Sequence, residues 1–196
     1  MSTRNEKRQA TERLALTALL TALVAVLSYL GGFIKIGVAS INLSLVPVVI
    51  GAAILGPAAG AWLGAVMGAF FFASADAPFW LGLSVHGTVI TVMIKSIVAG
   101  LCAGLVYKLL RKFNRYVAAL GAAVVCPIVN TGIFLLGCLV FFLEDVSSWA
   151  AAEGTALATY FIVGMVGVNF LIEFAANVLL SNAIYSILTI FDKRKK

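Results

Sequence analysis

The chain predicts an all-α integral membrane protein of about six transmembrane helices, with both termini in the cytoplasm. Three observations carry this. First, its 196 residues are 62% hydrophobic and only 11% charged, with a mean hydropathy of +1.08. Soluble domains sit nearer half apolar and a quarter charged, so lipid must be part of this chain's solvent. Second, a helical span needs roughly 20 apolar residues, which leaves room for about six spans and none for an ATPase or a receptor domain. Third, the cations gather in short flanks of the apolar runs. They are Arg4, Lys7, Arg8 and Arg13, then Lys108, Arg111, Lys112 and Arg115, then Lys193, Arg194, Lys195 and Lys196. Such flanks mark cytoplasmic loops rather than a nucleic-acid-binding face, despite the net charge of +6.

The elements follow in order within a single domain, 1–196, that carries basic tails at 1–13 and 192–196. Segment one is 14–30. Residues 1–30 superficially resemble a signal peptide, but no A-x-A site closes the apolar run and more spans follow, so the segment is expected to stay as the first helix. Segment two, about 42–55, is short and is closed by Gly56-Pro57. Segments three to six are about 57–73, 83–110, 116–143 and 159–191. The last three are long for one crossing and should tilt, kink or protrude. With the N-terminus inside, four spans precede the basic loop at 108–115 and two more return the C-terminus to the same side. Asp76, Glu144, Asp145 and Glu153 then fall in outside loops. Tyr29, Trp80, Trp149 and Tyr160 mark an outer aromatic belt, and Tyr107 and Tyr116 an inner one. Cys102, Cys126 and Cys138 lie inside apolar runs and read as packing thiols.

Two ladders of small residues carry packing. Ala18 and Ala22, extended by Ala15 and Ala25, line one face of segment one. Ala52, Gly56, Gly60, Gly64 and Gly68 recur every four residues, and Gly56-Pro57 interrupts the series so that its helical part is Gly60 to Gly68. Small residues at such spacing let helix backbones approach closely. The glycine ladder is expected to pack internally. The alanine face is open between internal packing and contact with another subunit.

Charged groups inside a bilayer are costly and suggest function. Lys95 and Glu173 lie near mid-membrane. Ser84, Thr88, Thr91 and Lys95 form one polar stripe down segment four, and Asn169, Glu173 and Asn177 another down segment six. Segment five adds Asn130 and Thr131 just after Cys126-Pro127, where the proline should loosen the helix. The three helices are expected to converge on one outward-opening cavity, with an internal Lys95–Glu173 ion pair as the alternative. His86 stands alone, without metal-ligand partners. No metal site, cofactor or enzyme signature is expected: there is no H-E-x-x-H, G-x-S-x-G or phosphate-loop lysine motif.

With these features in place, the sequence resembles the substrate-binding S subunit of an energy-coupling-factor (ECF) vitamin transporter. The resemblance covers nearly the whole chain. It rests on the short six-helix layout, on Ala18-x-x-x-Ala22, on the run from Asn42 through Gly56-Pro57 into Gly60-x-x-x-Gly64, and on Cys126-Pro-Ile-Val-Asn-Thr-Gly132. It implies high-affinity binding of a vitamin or related micronutrient at the outer side of a bacterial cell membrane. It implies docking through helix one, here Ala15, Ala18, Ala22 and Ala25, on a membrane T subunit coupled to two cytoplasmic ATPases. It also implies covering loops, here 31–41 and 74–82. The candidate substrate contacts are Lys95, Asn130, Asn169, Thr91, Thr88, Glu173, Trp80, His86 and Asn42. An unpaired Lys95 favours a carboxylate-bearing ligand, pantothenate first, with riboflavin and a thiamine-precursor pyrimidine still open. The competing functions are a secondary transporter with Glu173 as proton carrier and a structural membrane protein whose buried charges pair.

Overall fold

The computed structural model describes residues 2–31, 35–36, 39–40 and 42–193. Much of the first expected covering loop (32–34, 37–38 and 41) and the basic residues 194–196 lie outside the described residues.

Apolar runs become helices because a backbone in lipid must satisfy its own hydrogen bonds. Helix α1 is Ser2–Gly31, and a two-stranded antiparallel hairpin follows, β1 (Lys35–Ile36) with β2 (Ala39–Ser40). The remaining elements are α2 (Leu45–Leu55), α3 (Pro57–Phe71), α4 (Ala77–Leu83), α5 (Val85–Leu110), α6 (Arg115–Phe141) and α7 (Leu143–Ala152). The chain ends in α8 (Leu157–Thr159), a π-helical stretch Tyr160–Val166, and α9 (Gly167–Lys193). Each of the predicted segments falls on a helix. Among the described residues, three helices, α1, α5 and α6, are long and apolar enough to cross a membrane, and α8 to α9, bent by 44°, makes a fourth if counted as one span. Helices α2 and α3, at 11 and 15 residues, are shorter than a full crossing.

Local chemistry sets the boundaries. Gly56 takes φ 105°, a conformation open to glycine, and Pro57 starts α3 at a position where its missing N–H costs nothing. The Ser84 hydroxyl caps α5 by accepting the Gly87 N–H at 3.1 Å. The Asn114 side chain caps α6, accepting from Tyr116 N–H at 2.8 Å and Val117 N–H at 3.3 Å. Helix α6 continues through Pro127.

The glycine ladder packs inside the bundle, as expected. A Cβ on Gly60 would meet the Gly100 carbonyl, and one on Gly64 the Ser96 carbonyl. Pro57 lies against Gly104, so α3 and α5 run antiparallel with their backbones in near contact. The same logic orders the neighbours. Gly60 faces Ala52 across the α2–α3 turn, and Gly137 of α6 faces Thr91 of α5. Arg13 donates to the Leu55 carbonyl at 3.5 Å, and Tyr116 meets Tyr185 ring to ring at 5.7 Å. The turn of α1 around Arg13, the Gly56 turn, the 111–114 turn and the later part of α9 therefore share one end of the bundle. The core there is built from Leu20, Val24, Val48, Leu63, Ala99, Ala122 and their neighbours.

The opposite end departs from expectation in two ways. The outer connections are not plain loops, since they contain α4 and α7. Trp80 and Tyr160 are not lipid-interface belt residues. Both are buried in a second core, where Trp80 packs edge-on to Phe134 at 5.4 Å and Phe142 at 5.5 Å. A ring surrounded by four aromatic neighbours buries more apolar area than one left at a headgroup boundary.

Candidate functional site

Between this aromatic roof and the glycine-packed core lies a cavity of about 100 Å³. Helix α5 brings Thr88, Thr91 and Lys95 to it because 3- and 4-residue steps keep side chains on one helix face. Helix α6 adds Asn130, Thr131 and Phe134, and α9 adds Asn169, Phe170 and Glu173. Asn42 arrives just before α2, and Trp80 from α4. Eight of the nine substrate contacts expected from the sequence thus line one cavity. The ninth, His86, is exposed on the first turn of α5 and is not among the lining residues. Its neighbour in sequence, Ser84, serves as the α5 cap instead of joining the lining.

The charges are held apart. Lys95 is half-buried, with its ammonium 4.9 Å from the centre of the Phe134 ring, a cation–π contact. Glu173 is buried, and one of its carboxylate oxygens accepts the Asn42 backbone N–H at 2.8 Å. These two described residues make no ion pair with each other. Asn177, one turn further along α9, is buried outside the cavity and its side-chain amide donates to the Glu173 backbone carbonyl at 2.9 Å, not to the carboxylate. The Asn42 side chain bonds to Ser44 and to the Met67 sulfur, which fixes the lip of α2 over α3.

Several lining groups are buried with no hydrogen-bond partner among the described residues: the Thr91, Ser28 and Ser74 hydroxyls and the Asn130 carbonyl oxygen. Buried polar atoms are nearly always paired, and each exception calls for a reason. Four such atoms around one cavity are what a polar ligand would satisfy. Thr88 differs, because its hydroxyl already donates to the Trp80 carbonyl at 2.7 Å and ties the roof helix to α5.

Sequence reasoning did not name Ser28 on α1 as a contact, nor Ser74 and the buried Asp76 within the expected covering loop 74–82, yet all three line the cavity. Each lies at the end of an apolar run, where a lone polar residue looks like ordinary boundary chemistry. It also missed the apolar half of the lining, Phe71, Phe142 and Met165 among it.

The expected docking face is accessible. Ala15, Ala18 and Ala22 are exposed and Ala25 is half-buried, while Leu20 and Val24 on the other side of α1 are buried against the bundle.

A family model for the substrate-specific component of ECF transporters matches residues 12–185. The chain belongs to this family. No curated protein and no solved structure matched it. The match spans every element that lines the cavity and the alanine face of α1. Membership makes the chain a multi-pass membrane component of an ECF transporter that confers substrate specificity, in a family of transport subunits rather than enzymes. The partner that such a component implies is an ECF coupling module of T subunit and ATPases.

Proposed function

We propose that this ECF component binds a small, carboxylate-bearing vitamin in the cavity beneath Trp80, with Lys95 holding the carboxylate and pantothenate the first candidate. The observation that carries this reading is a lysine in a polar cavity that makes no ion pair with Glu173, surrounded by unpartnered Thr91, Asn130, Ser28 and Ser74 groups. An internal ion pair acting as helix glue would need the contact that Lys95 and Glu173 do not make.

The cavity, at about 100 Å³, is smaller than the roughly 300–1,000 Å³ of typical ligand pockets. Ligand entry therefore requires its walls to part. The roof of α4 is the short element best suited to move. In the proposed topology the chain crosses the membrane six times. The turns at 56 and 111–114 and both termini are cytoplasmic, and α1 presents Ala15, Ala18, Ala22 and Ala25 to the T subunit. Helices α2 and α3 then act as short spans that share the glycine-packed centre with α5.

Titration calorimetry of the purified chain with pantothenate tests the ligand reading. Saturable binding in the wild type and loss of at least about 30-fold in affinity in Lys95→Met are expected, because losing a buried charge-assisted contact costs about 2–5 kcal/mol. Equal affinity in the two proteins would remove Lys95 from the site.

A further inference from the structure

Donors and acceptors are not spread evenly around the cavity. Helix α5 supplies the one cation of the lining among the described residues, Lys95, which lies over the Phe134 ring and makes no ion pair there. The adjacent helices α6 and α9 supply acceptors. On α9, the buried Glu173 carboxylate takes one hydrogen bond among the described residues, from the Asn42 backbone N–H at 2.8 Å. A carboxylate has room for about four. On α6, the buried Asn130 carbonyl oxygen has no partner among the described residues. The nearby amides do not make up the deficit. The Asn42 side chain is committed to Ser44 and to the Met67 sulfur, and the Asn177 amide goes to the Glu173 backbone carbonyl.

An acceptor buried without a donor costs more than a made hydrogen bond gains, and a charged one costs most. Lys95 does not pair with Glu173, so the missing donors must arrive with the ligand. Asp76 is a second buried acid in the lining, which leaves one place for an anion, beside Lys95. We propose that Glu173 and Asn130 form a donor-reading pole: the ligand is an acid that carries O–H or N–H donors away from its carboxylate, and acids without them are rejected. This second pole rests on the ligand proposed above, whose carboxylate Lys95 holds. Pantothenate satisfies both poles, because it offers hydroxyls and an amide N–H besides its carboxylate. Nicotinate, an acid with no such donor, satisfies only the first. A site built to bond a hydroxyl rejects the analogue lacking it strongly, since its own buried groups are then left unpaired.

Titration calorimetry of the full chain in detergent tests it with three probes. They are pantothenate, the same acid with both hydroxyls replaced by hydrogen, and pantothenol, in which an alcohol replaces the carboxylate. The wild type is expected to bind the dideoxy acid at least about 100-fold more weakly than pantothenate. Glu173→Gln leaves an uncharged acceptor of nearly the same shape, and Asn130→Ala removes the acceptor on the other helix. In each, the gap between the two acids is expected to narrow by at least about tenfold. Thermal melts establish which variants are folded, and either one alone suffices. The gap is a ratio within one protein, so a variant that merely loosens the fold weakens both acids and leaves it unchanged. Equal affinity of the wild type for the two acids, or an unchanged gap in the folded variants, overturns the proposal. If Lys95 does not hold the carboxylate, pantothenol binds the wild type as tightly as pantothenate while the gap still narrows in the variants, and only the Lys95 assignment falls. A wild type that binds none of the three overturns both.

Discussion

Thr91 separates what the cavity does for folding from what it does for a ligand. Its hydroxyl is buried without a partner, which costs stability, while its methyl group packs against Gly137. Thr91→Val keeps the shape and removes the hydroxyl. The melting temperature in detergent is expected to hold or rise, while ligand affinity falls by about 0.5–1.5 kcal/mol, the net worth of a typical hydrogen bond. Falling stability with unchanged affinity would mean the hydroxyl is a packing group. Lys95→Met, by contrast, should leave the protein folded and weaken binding sharply. At this scale the sequence was legible where helical spacing applied. Thr88, Thr91 and Lys95 share a face by arithmetic alone, and an intramembrane lysine announces itself. Ser28, Ser74 and Asp76 were not named as contacts: the covering loop at 74–82 followed only from the family resemblance, which does not say which of its side chains face inward, and no spacing places Ser28 of α1 at the same cavity. His86 shows the converse: a lone titratable residue close in sequence to the site, yet exposed and outside the lining.

Helices α1 and α3 both carry small-residue ladders, and the structure gives the two opposite surroundings. On α3 the glycines face the α5 backbone, so a side chain at Gly64 has no room against the Ser96 carbonyl. Gly64→Leu is expected to lower stability by at least about 1–3 kcal/mol, as overpacking does. A melt of the purified variant equal to wild type would contradict that close approach. On α1 the alanines at 15, 18 and 22 are exposed. Ala18→Trp and Ala22→Trp should leave ligand binding intact and abolish ATP-driven uptake in vesicles that contain the coupling module. Loss of binding in the purified variants would mean that this face packs internally. Spacing alone predicted both ladders but could not tell an inward face from an outward one, since four-residue periodicity is the same in each. Helices α4 and α7 went unread because 7 and 10 residues of mixed character fall below any membrane-span window. The burial of Trp80 and Tyr160 went unread because a belt and a roof use the same residue types.

The whole bundle places Arg13, the Gly56 turn and the 111–114 turn at one end and the cavity roof at the other. Under the proposed topology, a cysteine at Ser148 on α7 labels with a membrane-impermeant thiol reagent in intact cells, and one at Asn114 does not. The reverse pattern would invert the protein in the membrane. Composition and charge distribution made the membrane class legible from the first reading, and the family match over residues 12–185 agrees with the resemblance seen in the motifs. The ligand's identity was not legible, because it depends on how unpartnered groups from four segments converge, and convergence is a property of the fold. The central claim is that this convergence is a vitamin site. Mass spectrometry of small molecules released by denaturing the purified wild type and Lys95→Met proteins, both incubated with cell extract, tests it most directly. The account predicts one vitamin-sized acid, stoichiometric with the wild-type protein and strongly depleted in the variant. Release of no small molecule by the wild type, or of the same compound in equal amount by both proteins, would contradict it.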